Sequence, residues 1–336
     1  MSRRYNRRSS RPLEDLPSLF SRETAEHSAV GSDRPDTPAP AGPDDLSLDP
    51  ACLPAGPRLM YMSFGSGSSG NCSYVGTADC GLLVDGGVDN NFVTEQLLRS
   101  GIDMSSVRGI LLTHDHADHV RYSYALLRRN PHMRLYATPR ALEGLLRRHN
   151  ISRRIKDYHA PIYKEHEYRF GPITVIPFET SHDGTDNAGY CIRCGSTVMV
   201  IATDMGEVTP RADYYIRQAT SLMIEADYDS AMLATGRYPE YLKARIISDT
   251  GHLDNMVTAR YLADIWTPVL REVYLCHLSQ DNNAPEIALA AVRERLAERN
   301  VCVITDSSVA SGDVLRLSAL PRFKSSPLYI LRPVEE

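Results

Sequence analysis

The run Thr113-His-Asp-His-Ala-Asp-His119 puts three imidazoles and two carboxylates directly behind an apolar stretch. Imidazole nitrogen and carboxylate oxygen are donors that borderline divalent cations such as Zn²⁺ and Mn²⁺ accept, and a short loop can aim alternate side chains at one point. The preceding Arg108-Gly-Ile-Leu-Leu-Thr113 reads as a buried strand, so His114 and His116 fall at its carboxyl end, where open α/β sheets place their chemistry. A solvated His-rich turn would need no matching ligands elsewhere, yet they recur. His182 follows Ile173-Thr-Val-Ile-Pro-Phe178, Asp204 follows Val198-Met-Val-Ile-Ala-Thr203, and His277 follows Glu272-Val-Tyr-Leu-Cys276. Singly, each could cap a turn. Together with the loop they make six or seven ligands, too many for one tetrahedral zinc and about right for two metals with a bridging carboxylate.

The elements that would position these groups follow from apolar periodicity. Strands are expected at 59–64, 72–75, 81–85, 107–113, 135–137, 173–178, 189–192, 197–202, 221–225, 272–276 and 301–304. Helices are expected at 92–99, 120–129, 140–148, 210–218, 239–245, 256–265 and 285–299. Early hairpins with strand–helix units between them indicate an α/β (α+β) fold, with mixed sheets sandwiched by helices. Gly65-Ser-Gly-Ser-Ser-Gly70 could cradle phosphate through its N–H groups, but no helix start follows it. A tight hairpin joining the first two strands is the more economical reading.

A chain of 336 residues, 42% hydrophobic and 24% charged, can bury a large core and has the balance of a soluble globular protein. One catalytic domain is expected over 58–317. Residues 1–57, rich in Arg, Ser, Asp and Pro around Thr37-Pro-Ala-Pro-Ala-Gly-Pro43, are expected as a disordered N-terminal tail, and 318–336 as a loop-like C-terminal tail. The cluster Arg3, Arg4, Arg7, Arg8 and Arg11 reads more readily as solvated than as a nucleic-acid contact. No run of eighteen apolar residues occurs and the amino end lacks the apolar core of a secretory signal, so the expected compartment is the cytoplasm, with no membrane partner. Seven scattered cysteines do not suggest a disulfide framework, and the lone pair Cys191 and Cys194 reads as structural. A net charge of -5 does not mark the whole surface as a polyanion binder, so nucleic-acid affinity would come from local patches.

Thr-His-x-His-x-Asp-His followed by a His, an Asp and a last His at strand ends resembles the signature of the metallo-β-lactamase fold superfamily. The resemblance implies a four-layer αββα sandwich of two mixed sheets flanked by helices, with metals at one edge. It implies His114, His116 and His182 on one metal, Asp118, His119 and His277 on the other, and Asp204 bridging both. Asp204 stands where lactam-hydrolysing relatives typically carry Cys, which makes the site harder and favours phosphate or thioester substrates. His116 stands where diiron redox relatives usually carry Glu, against an electron-transfer role. Four further blocks, Ser66-Gly-Ser-Ser-Gly-Asn-Cys72, Gly236-Arg-Tyr-Pro239, Ser248-Asp-Thr-Gly-His-Leu-Asp-Asn255 and Cys276-His-Leu-Ser-Gln-Asp-Asn-Asn283, resemble the bacterial YycJ (WalJ) group, regarded as exonucleases on double-stranded DNA.

The expectation is therefore a dinuclear phosphodiesterase holding two divalent ions (Zn, Mn or Fe) and acting on DNA as an exonuclease, with DNA repair as its setting. A hydroxide between the metals would be the nucleophile, and Asp118 would both ligate and orient it. His252, which precedes an expected helix and is not needed in either ligand set, would protonate the leaving oxygen or bind the scissile phosphate. Its plainer role is to stabilise the turn before a helix that Asp254 caps. Arg237, Lys243, Arg245 and Tyr238 are candidate substrate contacts, as are the basic run Arg147, Arg148, Arg153, Arg154 and Lys156 and the stacking candidates Tyr122, Tyr124 and Tyr241. The alternatives are a hydrolase of RNA, a cyclic nucleotide, a small phosphodiester or a thioester, and, as a non-enzyme, a metal-binding scaffold.

Overall fold

In the computed structural model the described residues are 57–305 and 314–333. The expected N-terminal tail therefore lies, Pro57 apart, outside the described residues. Strands β1 (Met60–Gly65), β2 (Cys72–Gly76) and β3 (Gly81–Val84) form an antiparallel meander. Helix α1 (Asn90–Arg99) leads to β4 (Val107–Leu111) and the short helices α2 (Ala117–Val120) and α3 (Ser123–Arg129). Strand β5 (Arg134–Ala137), helix α4 (Pro139–Arg148) and β6 (His159–Pro161) complete this half, with β3 to β6 parallel.

The second half opens on β7 (Tyr168–Phe170), β8 (Ile173–Glu179), β9 (Ala188–Cys194) and β10 (Thr197–Ala202), again an antiparallel meander. Helix α5 (Pro210–Ile216) crosses to the parallel strand β11 (Ser221–Glu225). Three helices follow, α6 (Ser230–Thr235), α7 (Glu240–Ile247) and α8 (Asn255–Ile265), before β12 (Glu272–Cys276), helix α9 (Pro285–Ala297), β13 (Cys302–Ile304) and β14 (Val314–Ala319). A last short strand, β15 (Tyr329–Ile330), returns to the first sheet. The sheet orders are β15-β1-β2-β3-β4-β5-β6 and β13-β14-β12-β11-β10-β9-β8-β7.

Period-two alternation explains the layering, because successive strand side chains point to opposite faces and both faces are apolar. Tyr61, Leu82, Leu111, Ile201, Met223 and Tyr274 share one core, to which both sheets contribute. Their strand neighbours Met62, Leu83 and Ile110 pack with Leu97 of α1 and Leu145 of α4. On the far side, Val200, Leu222 and Val273 pack with Ile216 of α5, Leu262 of α8 and Val292 of α9. Three cores make four layers: the αββα sandwich. Helix starts follow local capping, as at α4, where Thr138 Oγ1 accepts the Ala141 N–H at 3.1 Å and Pro139 opens the first turn.

Two expectations are corrected. The stretch from 318 is not a loop-like tail over its described residues. Strand β14 runs to Ala319, Tyr329 and Ile330 pair with β1, and the Leu331 N–H donates to the Leu59 carbonyl at 2.9 Å. Two paired residues leave no readable period, and their partners lie at the other end of the domain. The helix expected at 120–129 starts earlier and breaks in two, with α2 beginning inside the His-rich motif. Among the described residues no helix is long and apolar enough to cross a membrane.

Candidate metal centre

His114 follows β4, and His116, in extended backbone, caps α2, so the first half of the motif is loop. The second half, expected as loop too, is a helical turn: the His119 N–H donates to the His116 carbonyl at 3.0 Å, which sets Asp118 and His119 on adjacent positions of α2. His182 follows β8, Asp204 follows β10 and His277 follows β12. Asp204 (φ 53°) and His277 (φ 55°) occupy the left-handed region, as does Asp85 (φ 63°) after β3. A non-glycine residue there costs on the order of 1–3 kcal/mol, and such strain clusters where surrounding structure over-determines a functional geometry.

All seven expected donors converge. The donor atoms of His114, His116 and His182 lie within 4.8 Å of one another, as do those of Asp118, His119 and His277, and those of His114, His119 and Asp204. His182 Nε2 is 3.3 Å from His116 Nδ1. Asp204 lies between the groups, with Oδ2 3.5 Å from His119 Nε2 and Oδ1 3.4 Å from His277 Nε2 and 3.9 Å from His182 Nε2. The Nε2 atoms of His114 and His277, and also His277 Nδ1, are buried without a hydrogen-bond partner. A buried polar atom left unsatisfied costs about 1–3 kcal/mol, and a cation at each Nε2 would satisfy it. Imidazole nitrogens and carboxylate oxygens, with no thiolate among them, suit borderline divalent ions.

A second ring of groups fixes the imidazoles. His119 Nδ1–H donates to Asp85 Oδ2 at 2.7 Å, and Asp85 also accepts the Thr113 N–H at 2.9 Å. His182 Nδ1–H donates to the Gly251 carbonyl at 3.0 Å, His277 Nδ1 lies 3.1 Å from Glu225 Oε1, and His114 Nδ1 is 3.0 Å from Thr113 Oγ1. Four rings thus turn Nε2 inward. His116 is reversed, with Nδ1 toward His182 and Nε2 3.2 Å from Asp183 Oδ1. Such partners set tautomer and orientation in metal sites.

Sequence reasoning missed Asp85, Glu225, Asn71 and Ser66 in these roles. Asp85 and Glu225 end strands just as Asp204 and His277 follow them, so position was a usable signal. Glu225 is fully buried; its Oε1 accepts from His252 Nδ1–H at 2.7 Å, and its Oε2 accepts the Met205 N–H at 2.7 Å. The Gly/Ser segment is the expected hairpin connection, but it also serves the site. Asn71 Nδ2 donates to Asp118 Oδ2 at 3.0 Å, and Ser66 Oγ accepts the His277 N–H at 2.8 Å.

The electrostatics describe a cluster balanced by protons. Against the cost of burial, the imidazoles of His277, His119, His114 and His182 hold the Asp204 carboxyl well below the usual range. Burial, helped by His119, pushes His114 well down. Against desolvation, Asp85, Asp204 and Asp118 push His119 up to about 9, and Glu225 pushes His252 up to about 9. Cations must displace the His119 proton, so metal binding and protonation compete. A group whose pKa rises on folding contributes stability that is complete below its unfolded value, about 6.5 for His, and is lost as pH rises through the folded value. Chelator-treated protein should therefore lose Tm between pH 6.5 and 9, while protein saturated with Mn²⁺ or Zn²⁺ loses much less. A metal-free Tm flat across that window would contradict the proton-balanced cluster.

The candidate substrate contacts divide. Arg245 reaches the site, with Nε 2.6 Å from Asp183 Oδ2, and Arg148 lies 3.5 Å from Asp115 beside the same loop. Arg147 donates to Thr185 Oγ1 at 3.3 Å. Tyr238 OH donates to Asp281 Oδ2 at 2.8 Å, and Arg237 is exposed. Lys243 is turned to the protein itself, donating to the Ala234 carbonyl at 2.9 Å with Glu240 at 3.1 Å. Arg153, Arg154 and Lys156 are exposed on a separate 3₁₀ turn, Arg153–Tyr158.

A β-lactamase superfamily domain matches residues 81–278, a span holding all seven convergent donors. The chain is 33% identical over 241 residues to the exodeoxyribonuclease YycJ of Bacillus anthracis, covering 72% of this chain and 90% of that one. It is 31% identical over 252 residues to the exodeoxyribonuclease WalJ of Streptococcus pneumoniae, covering 75% and 93% respectively. In structure it resembles the metallo-β-lactamase fold protein YhfI of Bacillus subtilis, with a TM-score of 0.55 at 13% identity over 80% of this chain and 99% of that one. Unliganded yeast PDE1 gives 0.56 at 14% identity over the same shares, a likeness of fold alone.

Proposed function

The chain belongs to the metallo-β-lactamase superfamily, alongside YycJ and WalJ, and on that premise we propose that it is a dinuclear metal-dependent phosphodiesterase that degrades DNA from an end. The convergence of seven nitrogen and carboxylate donors around two orphaned Nε2 atoms carries the reading. His114, His116 and His182 would hold one cation, Asp118, His119 and His277 the other, with Asp204 shared. Bound there, two divalent cations supply a nucleophile at neutral pH and offset the charge of a phosphodiester. A centre of imidazoles and carboxylates, with Asp204 in place of a thiolate, suits phosphate oxygens. The relatives named exodeoxyribonuclease support DNA as the substrate class, and with it the cytoplasm as the compartment.

The remaining work falls to the chain's own side chains. Asp118, steadied by Asn71, would orient the attacking water. His252 stacks on His277 with ring centroids 5.0 Å apart, and Glu225 holds its Nδ1–H, leaving Nε2 as the proton donor to the leaving oxygen. With its pKa raised to about 9 the ring enters neutral solution charged, as a general acid requires. Arg245, anchored by Asp183 beside His116, would meet the phosphate. The test is release of mononucleotides from end-labelled duplex DNA with Mn²⁺ or Zn²⁺, abolished by chelation and restored by metal. Turnover of a small diester without nucleotide release would replace the DNA reading with a small-substrate one.

A further inference from the structure

A groove of about 230 Å³ opens between the Gly/Ser hairpin loop, α1, α2 and the turn at 321–324. None of its lining residues is a candidate metal ligand. Its inner wall is nevertheless one backbone thick from the metal centre: a Cβ on Gly87 would fall 1.5 Å from the Asp118 carbonyl oxygen, and that oxygen accepts the Asn71 N–H at 2.8 Å. Glycine is the residue that allows this approach. Phe92, Tyr122 and Phe323 supply aromatic surface over the buried Phe64, and Phe323 is 66% exposed.

Two guanidiniums border the groove. Arg121 donates to the Ser69 carbonyl at 3.2 Å, and Arg322 donates at 3.2 Å to the hydroxyls of Ser68 and Ser69 and also to the Leu278 carbonyl, next to His277. Among the described residues neither lies within ion-pair distance of a carboxylate, and the one acid in the lining, Asp89, caps α1 by accepting the Asn91 and Phe92 N–H groups. Arg322 feels the carboxylates of Asp227, Asp281 and Asp118 without pairing to any of them. Guanidiniums outside ion pairs, beside accessible aromatic faces, are the elements with which proteins hold single-stranded nucleic acid, bases stacking and phosphates paired.

We propose that this groove seats the terminal nucleotide of a DNA strand, its base against Phe323 and Tyr122 and its phosphate toward Arg121 and Arg322. The proposal rests on the nuclease reading and adds to it the reason for acting at an end. At about 230 Å³ the groove is smaller than the roughly 300 Å³ at which pockets for drug-sized ligands begin, which leaves no room for two nucleosides.

Phe323 is solvent-facing, so its truncation leaves the core untouched. In the metal-loaded full chain Phe323→Ala should raise KM for duplex ends about tenfold, the order expected for one lost stacking contact. Its kcat, and its turnover of bis(p-nitrophenyl) phosphate, should stay within about twofold of wild type. Product inhibition by dAMP should weaken about tenfold while inhibition by deoxyribose 5-phosphate is unchanged, and Phe323→Trp should restore both KM and dAMP inhibition. Wild type that releases nucleotides while Phe323→Ala matches it in KM and dAMP inhibition overturns the groove alone. Equal loss against the small diester and deoxyribose 5-phosphate also overturns it, because a packing defect would explain both. Wild type that releases no nucleotides overturns the nuclease reading and this assignment with it.

Discussion

Asp204→Asn is expected to reduce bound metal to less than half and nucleotide release by on the order of a thousandfold, beyond the roughly 10–100-fold typical when a residue behind a ligand is lost. Among the described residues Asp204 is the one carboxylate within 4 Å of imidazoles from both candidate metal groups. It is buried and at positive φ, so no water or flexible neighbour can replace it. The metal-free protein should suffer too, because removing one partner from a buried charge cluster costs about 3–5 kcal/mol. The sign follows from its depressed pKa: the stabilisation is complete above the unfolded carboxylate value and lost as pH falls, so the deficit in Tm shows at pH 7 and shrinks in acid. Elemental analysis and thermal melts on one preparation check both halves. Two metals per chain with undiminished turnover in the variant would remove Asp204 from the centre.

His252→Ala is expected to lower kcat by about 10²–10⁴ while leaving metal stoichiometry unchanged, the range general acid catalysis supplies. The turn that holds His252 does not depend on its ring, since its own N–H donates to the Ile246 carbonyl at 2.8 Å and Asp254 caps α8 by accepting the Met256 and Val257 N–H groups. A purely structural His252 would leave catalysis intact. For wild type, kcat should fall as pH rises through the pKa of the ring, at or below about 9 because neighbouring cations would draw it down, and the variant should lack that limb. A variant with wild-type turnover, or one with the same alkaline limb, would return the proton to another group.

Much of this fold was legible in the chain because its signals are local. Strands buried on both faces read as apolar runs, and polar residues just past them mark strand tips, which is how His182, Asp204 and His277 could be named beside the His-rich motif. The failures share a cause. Strand β15 is two residues long and exists because β1 offers it an edge; α2 begins inside the motif because His119 and Val120 donate back to the His116 carbonyl. Lys243 and Arg245 look alike in sequence, yet one is folded onto Ala234 and the other onto Asp183 beside His116.

By itself, then, the sequence determined the inventory: which donors exist, that most of them sit just past strands, and that none of them is a thiolate. Tertiary structure alone decided how they are aimed. The left-handed turns at Asp85, Asp204 and His277 aim these side chains, and the pinning of His119 by Asp85 and the single Glu225 oxygen beside both His252 and His277 join residues far apart in the chain. Side-chain type and strand period are properties of neighbours along the backbone. Direction, burial and charge balance arise only when the two sheets close on each other and low-dielectric packing makes each unpaired donor costly.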